Sequence, residues 1–271
     1  MRPQFVTALL CTLALLAAGC NTMGHGSQTP LVDRITSTGQ IRVGMAGDYP
    51  PLNARTKSGT IIGLDADLAG ALARILDVEL VLVEKPFKEL LPAVASGELD
   101  VAISGITMTP RRNLQVAFAG PYFVSSKAIL ARVETLADVT SVADLNSGDL
   151  KLVAVAGGTS QELVEQSAPN ATHIWSNTQD EAIQALVDGD ADALVADVSV
   201  CAFGMLRNPD AGLALVESEL ASEPIGIAVP AGDPLFLNLM ENYLRSLEKI
   251  GLLQALRTKW FQDPSWIGLL P

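Results

Sequence analysis

The chain has 271 residues, 49% of them hydrophobic and 18% charged, enough apolar material for one large core or two smaller ones and too much for a disordered segment. Its formal net charge of −12 gives a surface that repels phosphate backbones, which excludes nucleic acid as an expected partner. The only histidines are His25 and His173, so no histidine cluster could hold zinc or manganese, and no metal or other cofactor is expected.

The first segment carries Arg2, an apolar stretch from Phe5 to Ala18, the pair Gly19-Cys20, and then a polar run rich in small residues to Pro30. This reads as a signal peptide over 1–19 and a tether over 20–30. A membrane-spanning helix needs about 20 apolar residues, and the 14 between Phe5 and Ala18 fall short. Leu16-Ala17-Ala18-Gly19-Cys20 resembles a bacterial lipobox, with Ala17 where leucine is commoner. That resemblance implies lipidation at Cys20 and attachment to a bacterial membrane, facing the periplasm or the cell surface. Cleavage there leaves Cys201 as the one unmodified thiol and excludes an intramolecular disulfide.

From Leu31 onward, short apolar runs alternate with helical patterns. Ile41 to Met45, Val78 to Val83, Val101 to Ser104, Lys151 to Val155 and Ala193 to Ala196 read as strands. Leu68, Leu72, Ile75 and Leu76 recur at helical spacing, as do Ile183, Leu186 and Val187. The alternation predicts βα units around buried parallel strands, hence an α/β fold. The segments Ala93 to Ser104 and Ala185 to Ala196 share one grammar at an offset of 92 residues: a helix end, a glycine where helices stop, an acidic turn and an apolar strand. The echo suits two lobes of similar build, although any α/β protein punctuates its chain in this way.

Ligands of such sheets bind beyond the carboxyl ends of the strands. Those ends carry Ser104-Gly105-Ile106-Thr107 in one half and Asp197 in the other. Thr109 is placed to cap a short helix starting at Pro110, which would project Arg111 and Arg112 beside the strand end. A guanidinium fork matches a carboxylate with two parallel charge-assisted hydrogen bonds, while a surface pair is the plainer role for two arginines. After the strand ending at Val155, Gly157-Gly158 allows close backbone approach, Thr159 and Glu162 fit a capping box, and the helix start favours an anion; a tight turn with an ordinary cap fits equally. Asp197 is suited to meeting an ammonium group or to capping the helix that follows.

In order along the chain, Ile41-Arg42-Val43-Gly44, Asp48-Tyr49-Pro50-Pro51, Gly63-Leu64-Asp65-Ala66-Asp67-Leu68, Ser96-Gly97-Glu98-Leu99-Asp100 and Thr107-Met108-Thr109-Pro110-Arg111-Arg112 lead to Phe118-Ala119-Gly120-Pro121-Tyr122. Together they resemble the family 3 extracellular solute-binding proteins, the receptors of polar amino acid importers, over Leu31 to Pro271. The resemblance implies a two-lobe periplasmic-binding-protein-like II fold with a central ligand cleft. Lobe one would comprise 31–126 and 224–271 and lobe two 134–222, with crossings near 127–133 and 223–229. By position, Arg112 looks like the clamp on a ligand α-carboxylate, helped by Thr107 and by amides near Thr159 and Ser160. Asp197 looks like the ammonium partner, and Gly105 supplies a carbonyl. Tyr49 and Phe87 match the aromatic sandwich around the ligand side chain, and Gln161 reaches that pocket. Ala46 and Gly47, with Asp48 displaced, argue against lysine or arginine as ligand.

The implied protein is a monomeric, non-enzymatic receptor that captures an amino acid or close analogue by cleft closure and delivers it to ABC permease subunits. A cyclohexadienyl or arogenate dehydratase resembles the same layout. Such an enzyme needs a general acid to expel hydroxyl, and Glu223 is the candidate for it.

Overall fold

The computed structural model describes residues 30–135, 139, 141–216 and 222–271. The signal segment, Cys20 and the tether up to residue 29 lie outside the described residues. No described helix is long and apolar enough to cross a membrane.

The chain opens with α1 (Pro30–Thr38), β1 (Gln40–Met45), the short strands β2 (Asp48–Tyr49), β3 (Asn53–Arg55) and β4 (Ile61–Ile62), α2 (Leu64–Leu76), β5 (Glu79–Glu84), α3 (Phe87–Ala95) and β6 (Val101–Thr107). A single long strand follows, β7 (Val116–Arg132). Then come β8 (Lys151–Val155), α4 (Thr159–Ser167), β9 (Thr172–Ser176), α5 (Gln179–Asp188), β10 (Ala193–Asp197), α6 (Val198–Arg207), β11 (Leu213–Val216), β12 (Ser222–Pro230), α7 (Pro234–Lys249) and α8 (Leu252–Phe261).

The main strands run in the order β5-β1-β6-β12-β7-β10-β8-β9, with β11 also against β7. β1 is parallel to β5 and β6, and β8 is parallel to β9 and β10. Every residue of β6 and β10 is buried, as expected of strands covered on both faces. This is the mixed α/β two-lobe architecture, and β7 joins its halves. Its residues from Val116 to Ser126 pair antiparallel with β12, whereas Lys127 to Arg132 pair with β10 and β11.

The five strands expected from sequence form within three residues of their expected ends. Gly97 and Gly189, the glycines of the repeated grammar, both take positive φ just past a helix, at 77° and 83°. β7 is not among the strands expected from sequence, and it runs through Gly120-Pro121, a dipeptide more usual in turns. The structure absorbs it by a register shift: Ile225 pairs with Phe123 and Ile227 with Ala119, so that Gly120 to Tyr122 face a single residue, Gly226. Such a bulge admits a proline that cannot donate to the ladder.

Thr109 caps the turn that follows it, as expected: its Oγ1 accepts from the Arg112 amide at 3.2 Å and its carbonyl from the Asn113 amide at 3.0 Å, although the regular part is only a 3-10 turn over Arg112–Leu114. One local expectation is corrected. The Thr159/Glu162 capping box does not form. Gly158 takes the capping position in extended backbone, Thr159 is already the first helical residue, and its hydroxyl turns to Glu223 Oε2 at 3.1 Å.

Candidate ligand-binding site

All the parallel strands named above deliver residues, at or just beyond their carboxyl ends, to one cleft. The turn after β1 brings Asp48 and Tyr49, the turn after β5 brings Phe87, and β6 brings Gly105 and Thr107, with Arg112 just beyond. From the other half come Val155, Gly158, Thr159 and Ser160 after β8, Gln179 at the start of α5, and Val195 and Asp197 at the end of β10. β7 contributes Lys127.

Arg112 is 8% exposed and bridges the halves. Its Nη1 donates to Thr107 O at 2.8 Å and its Nη2 to Gly157 O at 3.0 Å. Burial pulls the guanidinium below its ordinary pKa against the attraction of Glu162, Glu223 and Asp197, yet its charge persists. Its only hydrogen-bond acceptors among the described residues are these two carbonyls, and it forms no ion pair there. It lies 5.6 Å over the Phe87 ring, a cation–π contact that orients the fork.

Lys127 stands directly opposite Asp197 in the antiparallel register of β7 and β10. With 4% and 6% exposure the two are buried together, and Lys127 Nζ reaches Asp197 Oδ1 at 2.5 Å. Glu223 Oε1 is 3.8 Å from the same ammonium. Tyr49 donates its hydroxyl to Asp197 Oδ2; burial first, then the Asp197 charge, pushes that phenol well above its ordinary pKa and keeps it a donor. Asp197 therefore does not cap α6 with its side chain; both oxygens face protein donors. Two charges removed from water in this way need each other, and removing one strands its partner.

Gln161 is turned away from the lining. Its Oε1 accepts from the Gly157 amide at 2.8 Å and its Nε2 donates to Glu165 at 2.8 Å. The other eight binding residues expected from sequence, Arg112, Asp197, Thr107, Gly105, Thr159, Ser160, Tyr49 and Phe87, all line the cleft. Sequence reasoning passed over Lys127 and Gln179 and set Asp48 aside as displaced, yet all three line the cleft. Asp48 accepts from the Gln179 amide at 3.0 Å across the cleft, and burial raises its pKa. Gln179 Oε1 is buried without a hydrogen-bond partner among the described residues. A signal for Lys127 did exist, a lone charge entering the apolar run Ala128 to Ala131.

Beneath the cleft floor, Asp65 accepts from Asn53 Nδ2 and Tyr122 Oη, each at 2.7 Å, and from the Gly105 amide. Full burial outweighs these bonds and pushes its pKa up to about 7. The folded state thus holds this proton where the unfolded chain, near pH 4, has released it. Stability from this group is present below about pH 4 and is lost as pH rises through about 7. Asp65→Asn, which keeps the shape without the charge, should gain on the wild type in melting temperature as pH goes from 5 to 8. An equal difference at both pH values in calorimetric melting would refute it.

A profile of the bacterial extracellular solute-binding proteins, family 3, matches residues 41–263. The chain belongs to this family. Among its relatives is the ABC transporter arginine-binding protein 1 of Escherichia coli (strain K12), 27% identical over 226 residues, 82% of this chain and 90% of that one. Another is the cyclohexadienyl dehydratase of Pseudomonas aeruginosa, 28% identical over 263 residues, 96% and 94% of the two chains. Of solved structures, an ancestral amino acid-binding protein described as a precursor of cyclohexadienyl dehydratase superposes with a TM-score of 0.78 at 34% identity, covering 85% of this chain and 99% of that one. Family membership places the chain among extracellular binding proteins of amino acid transport, and a dehydratase also stands among its relatives.

Proposed function

We propose that this protein is the solute-binding component of an ABC importer, capturing an amino acid or close analogue through its carboxylate by closure of the cleft. The observation that carries this reading is Arg112, a buried fork without an ion-pair partner among the described residues, lying where strand ends of both halves meet. A small carboxylate entering there gains two charge-assisted bonds, supplemented by the first amides of α4 at Thr159 and Ser160 and by the positive end of that helix. Tyr49 and Phe87 would flank its side chain, with Gln179 as a polar end.

Lobe one comprises 31–126 and 224–271 and lobe two 134–222, with crossings near 127–133 and 223–229; the change of β7 partners after Ser126 supports the first crossing. Contacts that complete only on closure include Arg112 to Gly157, Tyr49 to Asp197, Asp48 to Gln179 and Lys88 Nζ to Asn177. A ligand that prefers the closed form shifts the equilibrium by that preference, and the permease reads the closed shape. The receptor acts as a monomer, tethered through lipidated Cys20 to a bacterial membrane on the periplasmic or outer side.

A thermal-shift panel of proteinogenic amino acids and their analogues tests the reading, since a ligand of the native state raises its melting temperature. The expected hit also compacts the protein in small-angle scattering. A panel without hits, or hits indifferent to Arg112→Ala, would discard it.

Cyclohexadienyl dehydratase is the second reading. It is favoured by Glu223, 6% exposed, which accepts from Thr159 and lies against Lys127 beside the cleft, a position suited to a general acid. Dehydration of prephenate or arogenate, followed by ultraviolet absorbance and abolished by Glu223→Gln, would establish it; absence of turnover removes it.

A further inference from the structure

We propose that the cleft selects a 2-oxo or 2-hydroxy carboxylate over the amino acid of the same side chain, because Lys127 already occupies the place where a ligand ammonium would meet Asp197. This rests on the reading of Arg112 as a carboxylate clamp. Charged partners are unequally supplied in the cleft. Each nearby carboxylate has a donor: Asp197 takes Lys127 on one oxygen and Tyr49 on the other, Glu223 takes Thr159 and lies 3.8 Å from Lys127, and Asp48 takes the Gln179 amide. Among the described residues Arg112 hydrogen-bonds only neutral carbonyls, with Glu162, Glu223 and Asp197 acting on it from beyond ion-pair distance.

A zwitterion would satisfy Arg112 but bring a second ammonium to a buried lysine, and like charges in a poorly hydrated site repel strongly. A carboxylate with a neutral oxygen on C2 avoids that conflict. The Lys127 ammonium has three donors, of which the structure gives one a hydrogen-bond acceptor, Asp197 Oδ1. A C2 carbonyl or hydroxyl oxygen can accept another. The lysine is held for this by its register position opposite Asp197, buried on both sides, and not by a flexible surface stem.

Calorimetry with matched pairs tests the preference on the wild-type protein: pyruvate with alanine, 4-methyl-2-oxopentanoate with leucine, phenylpyruvate with phenylalanine and 2-oxoglutarate with glutamate. For the side chain that binds, the oxo acid should bind at least about tenfold more tightly than its amino acid. An amino acid that binds as tightly as its oxo partner, or more tightly, overturns the proposal and leaves the clamp intact. Binding of neither class sinks the clamp reading and the proposal with it. In Lys127→Gln, provided it melts cooperatively, Asp197 is released and the ratio should swing at least about tenfold toward the amino acid. An unchanged ratio in the folded variant shows that the lysine does not set the preference and overturns the proposal as well.

Discussion

Replacing Arg112 by alanine is expected to weaken ligand binding by about 2 to 5 kcal/mol, roughly 30-fold to several thousand-fold. The loss arises because a carboxylate drawn into the cleft would be left desolvated without its partner. The guanidinium also ties Thr107 O to Gly157 O across the cleft, so truncation weakens the closed form as well as the contact. Arg112→Lys separates the two contributions. A lysine keeps the charge but offers no planar fork and cannot span both carbonyls while holding a carboxylate in two bonds, so its affinity should fall between those of wild type and alanine. Calorimetry on both variants, with circular dichroism to show that each is folded, reads the result. Unchanged affinity in a folded alanine variant would remove Arg112 from the site.

The second large effect falls on stability. Gly63 precedes α2 with φ at 134°, a region open to glycine alone. A Cβ there would lie 2.2 Å from Leu52 O and 2.8 Å from Asn53 Cα, both backbone atoms that cannot rotate away. The closeness has a purpose. No side chain caps α2; its Leu64 and Asp65 amides donate instead to the carbonyls of Pro51 and Leu52, at 3.2 and 2.8 Å. The same approach seats Asn53 against Asp65 under the cleft. Gly63→Ala should cost about 3 kcal/mol or more from strain and overpacking combined, lowering the melting temperature by roughly 6 °C or more for a chain of this size. Gly39→Ala is the control, because it too has positive φ, 66°, but nothing lies within 4 Å of its Cβ. If the two variants melt together, crowding at Gly63 is not the cause.

These positions differ in how openly the sequence announces them. Arg112 and Asp197 could be found because each follows a buried apolar strand, and the carboxyl ends of parallel strands lie at one edge of a sheet. Gly105, Thr107, Thr159 and Ser160 lie at such ends too, whereas Tyr49 and Phe87 were singled out by the family resemblance; all six reach the cleft lining. Gln161 does not, since the helix that carries it begins one residue after Gly158 and turns its amide back onto Gly157. Lys127 was hidden by a different cause: its importance depends on which strand lies beside β7, and antiparallel register between residues 70 positions apart leaves no trace in local periodicity. β7 was not read from the sequence either, and its bulged pairing at Gly120-Pro121 is supplied only by the neighbouring strand.

By itself, then, the order of apolar runs and glycines determined the α/β class, the strand positions and the residues at the mouths of the strands, because burial and backbone freedom act over a few neighbours. Tertiary structure alone decided how charges were shared among those mouths. It paired Lys127 with Asp197, buried Asp65 beneath Gly105, and left Arg112 hydrogen-bonded, among the described residues, only to neutral carbonyls. The reason is physical: a charge in a buried cleft takes its meaning from whatever partner lies within a few ångströms, and that partner is chosen by strand register and not by sequence distance.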